Sequence, residues 1–183
     1  MLNLTRSFFS FLLLSSFFIL STEATAQNIP TNIAVVNFEQ VLATSSAPKS
    51  IREQVQKKRD AYRKEIQIEE SELRKSNQDL AQKQTLLSKE SYKEERRKFE
   101  QKVLSVQKKV QEKNVYLQKA QTKAQQKVKD ALRKVVLKIA QKNGYPLVLR
   151  HSQTVVVADK MNITKLVISE LNKQLPTINV FGK

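Results

Sequence analysis

Between Lys49 and Asn143 the apolar positions recur at intervals of seven and four. On the first half they run Ile51, Val55, Tyr62, Ile66, Leu73, Leu80 and Leu87; on the second Phe99, Val103, Val106, Val110, Leu117, Ala120 and Ala124. A helix with this rhythm buries one narrow stripe against another helix. No proline interrupts the chain between Pro48 and Pro146, and no glycine occurs before Gly144. As a single rod the stretch would hold its ends ~140 Å apart, at ~1.5 Å per residue. Strand candidates flank both ends, so the pattern predicts an antiparallel helical hairpin with a first arm of roughly 60 Å. The reversal is expected at Leu86–Ser91, where the seven-spaced series stops and Ser91-Tyr92-Lys93-Glu94 reads as a capping box. Glu69, Ser76, Lys83 and Lys113 occupy facing positions, which makes the seam thin and the hairpin compliant. Near Val128 the apolar face passes to Val128, Leu132, Val135 and Ile139, as a change of partner from arm to base requires.

The flanks carry a different pattern. Ile33–Phe38 is apolar on both faces and predicts a buried strand; Val41 and Leu42 extend it as a turn of helix. Ala43–Pro48 reads as a small-residue linker whose serines cap the helix that follows, with Pro48 in its first turn. Asn143-Gly144 ends the helical stretch. Leu147–Leu149 and Thr154–Val157, around Arg150–Gln153, predict a β-hairpin. Asn162-Ile163-Thr164 opens a last helix with Leu166, Val167, Leu171 and Leu175 on its apolar side and Pro176 at its end. The tail from Thr177 is expected to be loosely held. Three short strands make a poor sheet alone, and about sixty residues outside the hairpin make a marginal core. Several chains pooling their strands would solve both problems.

The N-terminus precedes all of this. Arg6, the apolar run Phe8–Leu20 and Ala24-Thr25-Ala26 read as a secretory signal peptide cleaved after Ala26. The run is shorter than the ~20 residues of a membrane span. The expected organisation is therefore a signal peptide at 1–26, an oligomerisation body from 27–48 and 143–183, and an arm at 49–142 with its tip near 87–91.

Charge and the absence of reactive groups narrow the function. The net charge is +16, and the chain has no cysteine and one histidine. Lys102–Lys142 alone carries twelve basic residues against Glu112 and Asp130. Such a surface attracts an anionic partner: nucleic acid, lipid head groups or an acidic polypeptide. For any single lysine a solvated helix face is the simpler explanation. With glycine only at 144 and 182 there is no phosphate loop. With no cysteine and only His151, neither a zinc cluster nor a histidine-based triad can be assembled. Glu69, Glu70 and Glu72 lie among lysines and arginines, where intrahelical pairing explains them. No catalytic, cofactor-binding or metal-binding residue is assigned, and the chain does not read as an enzyme.

Four segments carry a family resemblance. Ile33-Ala34-Val35-Val36-Asn37-Phe38-Glu39-Gln40-Val41-Leu42, Gly144-Tyr145-Pro146-Leu147-Val148-Leu149, Val156-Val157-Ala158-Asp159, and Asn162-Ile163-Thr164 with Val167-Ile168 and Leu171-Asn172 stand in order around a cationic hairpin. Together they resemble the Skp, or OmpH-like, periplasmic chaperones. The resemblance implies an α+β fold: a long antiparallel, coiled-coil-like α-helical hairpin on a small β-rich trimerisation body. It implies a homotrimer without cofactors that acts as an ATP-independent periplasmic holdase, holding unfolded outer-membrane proteins in the cavity between its arms. Anionic lipid or lipopolysaccharide is a further candidate partner, with no lipid-site residue carried over. Two positions depart from the family's pattern: Pro48, where glycine is common, and Arg150-His151, where aspartate is frequent.

Candidate client-binding residues are Tyr92, Arg96, Arg97, Lys98, Phe99, Lys102, Lys109 and Lys123. Charge would speed capture, and aromatic rings and lysine stems would give weak apolar contact. Candidate oligomerisation residues are Ile33, Val35, Val36, Phe38, Leu147, Val148, Leu149, Val155, Val156 and Val157. The alternatives are a cationic nucleic-acid-binding protein, disfavoured by the signal peptide and the lack of a recognition motif, and a structural coiled-coil spacer, disfavoured by the polar seam.

Overall fold

The computed structural model describes residues 32–182; the expected signal peptide and its cleavage site lie outside the described residues. In chain order the elements are β1 (Ile33–Val36), α1 (Phe38–Thr44), α2 (Ser46–Lys83), α3 (Lys89–Asn143), β2 (Leu147–Arg150) and α4 (Thr164–Gln174). α2 and α3 hold 38 and 55 residues, or about 57 and 83 Å of helix. They form the hairpin, and the extra length of α3 runs into the base. Every position of the two seven-spaced series is buried or half-buried, because the 3.5-residue spacing keeps those side chains on one face.

The reversal is short. α2 ends at Lys83, whose carbonyl accepts from Leu86 and Leu87 N–H. The cap of α3 is Ser88, whose Oγ accepts from Ser91 N–H at 3.2 Å. The capping box expected at Ser91 does not form. Starting at Ser88 adds a turn of backbone bonding, beginning with Tyr92 N–H to the Ser88 carbonyl at 2.9 Å. At the other end Gly144 adopts φ 64° and stops α3, a conformation that costs a side-chain-bearing residue more.

In the base the chain departs from several expectations. β1 ends at Val36 rather than Phe38, because Asn37 caps α1 by accepting Gln40 N–H at 2.8 Å, and Phe38 becomes the first helical residue. The expected hairpin of Leu147–Leu149 with Thr154–Val157 is absent. β2 pairs instead with β1, in parallel, with Ile33 opposite Leu147 and Val36 opposite Arg150. Thr154–Val157 is not a strand, and Val155 and Val156 are 102% and 88% exposed. The intervening His151–Gln153 forms a 3-10 turn, and a tight hairpin would need positive φ values that only Gly144 shows among the described residues. The third difference is the tail: Ile178 and Val180 are buried, so the segment from Thr177 is packed down.

One buried cluster holds the base together. Ala34 and Val36 of β1, Val41 of α1, Ile51 and Val55 of α2, Val128 to Ile139 of α3, and Val167 and Leu171 of α4 all belong to it. Polar contacts then lock the joints. Asn37 N–H donates to Thr164 Oγ1 at 2.9 Å, and Ile163 N–H to the Val35 carbonyl at 3.0 Å. The first turn of α2 is served from across the core: Ser46 N–H and Oγ both reach Asn172 Oδ1, at 2.8 and 3.0 Å. The linker serines were expected to do this. Ser45 occupies the cap position, yet its buried Oγ has no partner among the described residues.

That division of labour predicts opposite outcomes for two truncations. Asn172→Ala should lower stability by about 1 kcal/mol, the cost of losing a cap. Ser45→Ala should leave stability unchanged or raise it, since it removes an unpaired buried hydroxyl. Equal losses in urea denaturation would contradict the assignment.

Candidate functional site

The arms supply nearly all the reach of the molecule, and what holds them together decides what they can do. Apolar contact along the seam is thin, as its half-buried positions show, and ion pairs fill the gaps. Lys113 Nζ meets Glu65, Lys109 Nζ meets Glu69, and Lys83 Nζ meets Glu95 at 2.7 Å. Each step of four residues up α2 is a step of four down α3, so the pairs share one antiparallel register. Lys113 also lies 4.0 Å from the centre of the Tyr62 ring. Of the polar positions expected to face the seam, Glu69, Ser76 and Lys113 are half-buried and Lys83 is exposed.

These contacts shift ionisation. The hydrogen bond from Lys113 holds the Glu65 carboxyl below the usual range, against a smaller desolvation effect. Hydrogen bonds from Lys83 and then Lys98 lower Glu95, and the bond to Glu95 raises Lys83. All are near solvent, so salt screens them.

The candidate client-binding residues are spread along α3. Tyr92 and Phe99 are half-buried, Phe99 on the seam. Arg96 pairs with Glu100 and Lys98 with Glu95, whereas Arg97, Lys102 and Lys123 are exposed. Lys109 pairs with Glu69 across the seam. The larger exposed apolar side chains of the arms are others: Ile68 at 62%, Leu86 at 80% and Leu104 at 63%. They lie outside the seven-spaced series, and an apolar residue off the stripe is the sequence signal that could have found them.

The candidate oligomerisation residues divide in two. Val35 and Val36 are buried within their own chain, and Ile33, Phe38, Val148, Leu149 and Val157 are half-buried, with Arg150 over the Phe38 ring. Leu147, Val155 and Val156 face outward. The β1 edge makes a bridge to Asn162, whereas the outer edge of β2 has no strand beside it among the described residues. His151 is exposed in its turn. No group of acidic, histidine or cysteine side chains suited to a metal occurs among the described residues.

A family model for outer membrane protein (OmpH-like) matches residues 32–171. No curated protein matches. Among solved structures, a crystal structure from Caulobacter crescentus described as an outer membrane chaperone (OmpH-like) superimposes with a TM-score of 0.76 at 16% identity. The match covers 81% of this chain and 88% of that one, a likeness of fold.

The ion pairs make arm closure depend on pH. Glu65 and Glu95 are depressed in the folded state, so their support is full above the ordinary glutamate value of about 4.3. It is lost as pH falls through the lowered folded values. Lys83 is raised, so its contribution persists until pH exceeds its folded value, above about 10.4. Spin labels on Ile68→Cys and Leu104→Cys, introduced into a chain with no cysteine of its own, should show a broader and longer distance distribution at about pH 3 than at about pH 7. An unchanged distribution would show that the apolar stripe alone holds the arms.

Proposed function

The chain belongs to the OmpH-like outer membrane protein family, and on that premise we propose that it is an ATP-independent periplasmic holdase. It is exported by a signal peptide cleaved after Ala26 and assembles as a homotrimer through a body formed by 27–48 and 143–183. Its arms, 49–142, surround unfolded outer-membrane proteins and keep them from aggregating. The observation that carries this reading is the hairpin itself: two long cationic helices joined by ion pairs and a thin stripe, with Ile68, Leu86 and Leu104 exposed off the seam. Such a surface makes many weak contacts and steers acidic segments toward it. It requires no nucleotide and no catalysis. Assembly is supported by the outward-facing Leu147, Val155 and Val156 and by the outer edge of β2, which has no strand beside it among the described residues; an exposed edge and exposed apolar side chains are templates for another chain.

The register of the ion pairs sets the test of the arms. Deleting Ile66–Asp79 together with Phe99–Glu112 removes two facing heptads and about 21 Å of reach while leaving Glu65 opposite Lys113. The assembly should keep its stoichiometry, and suppression of aggregation of an unfolded membrane β-barrel should fall steeply. Full protection by the shortened protein would move client binding to the base.

A second variant tests the body. Val156→Asp places a charge on a side chain that its own chain leaves exposed, so the monomer should fold normally. Burial of that charge between copies would cost several kcal/mol, and sedimentation should show dissociation. A trimer of unchanged stability would place the interface elsewhere.

A further inference from the structure

The C-terminal segment lies beyond the residues that match the family, yet it is among the better-anchored parts of the base. Ile178 and Val180 are buried while Thr177 and Asn179 face solvent, the period-two alternation of a strand. No strand among the described residues pairs with it. Its partner is one side chain, Gln54 of α2: the amide Nε2 donates to the Ile178 carbonyl at 2.7 Å, and Oε1 accepts from Val180 N–H at 3.1 Å. Groups two residues apart are those that one residue of a neighbouring parallel strand would engage. The Gln54 amide therefore acts as a single rung of a β-ladder. Phe181 stacks on Tyr116 of α3, with ring centres 5.9 Å apart. Asn179 Oδ1 then accepts from Phe181 and Gly182 N–H and turns the chain away. A cavity of about 280 Å³ adjoins this end, walled by Lys119, Lys123 and Lys127.

We propose that this groove is a binding site for one extended, alternately apolar segment of an unfolded membrane β-strand, and that residues 175–182 are its built-in occupant. The inference rests on the chaperone reading and adds a place within it. Gln54 Nε2 also donates to Ser50 Oγ at 2.9 Å, which holds the amide in place; toward the tail it contacts only backbone groups, so it accepts any sequence able to extend. The apolar floor, which includes Ala120 and Ala124, selects a side chain at every second position, and Tyr116 offers a platform for a ring. Strands of membrane β-barrels carry that alternation along their length. Client strands bind here by displacing the tail, whose occupancy lowers their apparent affinity by the fraction of groove it leaves free. The tail keeps the groove covered until a client competes for it.

The test uses the full chain and a fluorescein-labelled peptide with the sequence of Thr177–Lys183. In the variant Tyr116→Cys/Phe181→Cys a reducible bis-thiosulfonate cross-linker ties the tail into the groove, and reduction frees it. The locked protein should bind the peptide at least about tenfold more weakly than the same protein after reduction, as expected when the competent fraction collapses. Independently, Val180→Asp should release the tail and tighten peptide binding, and adding Gln54→Ala should abolish that gain. Equal peptide affinity in the locked and reduced states would overturn the groove assignment, whether or not the protein protects clients. A groove that takes the peptide, in a protein that protects no unfolded barrel in either state, would overturn the chaperone reading instead.

Discussion

The parallel pairing of β1 with β2 obliges everything between Val36 and Leu147 to return to its starting point. A parallel pair always needs a crossover, and here the crossover is the arm itself. α2 must climb and α3 must descend in one register, or the two strands could not align. The requirement reaches the tip, where a five-residue turn leaves no slack. It also reaches the base, where Val128, Leu132, Val135 and Ile139 of α3 join Ala34 and Val36 of β1 and Val167 and Leu171 of α4 in one buried cluster.

The arms satisfy this constraint with little apolar burial. A tight coiled coil would place leucine or isoleucine at facing positions; this seam has Glu69, Ser76 and Lys113 there and closes the gaps with lysine–glutamate pairs. Near-surface pairs of this kind set register and orientation more than they add stability. The consequence is a hairpin with a defined register and a modest closing energy. The surplus charge has the same origin: α3 carries more lysines than the glutamates of α2 can pair, and those left over face solvent.

The base is organised by contacts between residues distant in sequence. Asn172 caps a helix that begins more than a hundred residues earlier, Thr164 holds Asn37, and Gln54 clasps Ile178 and Val180. Each contact ties the start of the chain to its end across the arm. A small core gains by this, because few apolar residues are available and polar joints must be fully paired.

Much of the molecule was legible in one dimension. Periodicity alone placed both arms, the stripe from Ile51 to Ala124 and the change of face at Val128, because a heptad repeat is a local property that the helix geometry converts directly into burial. The family came from the four base segments around the hairpin, and the α+β class was what that resemblance implied. What the sequence misplaced depended on partners far along the chain. Thr154–Val157 has every propensity of a strand, yet a strand needs a neighbour, and β2 was already committed to β1. Ser45 looks like a cap, but the oxygen that serves α2 comes from Asn172. Thr177–Lys183 reads as a loose tail, since nothing nearby in sequence announces Gln54 or Tyr116. Lys109 stands among the client-binding candidates by its charge and pairs across the seam by geometry, because only the antiparallel register brings Glu69 opposite it. Local pattern determined the elements; the tertiary structure decided their partners, since hydrogen bonds and ion pairs form with whatever the fold brings within about 3 Å.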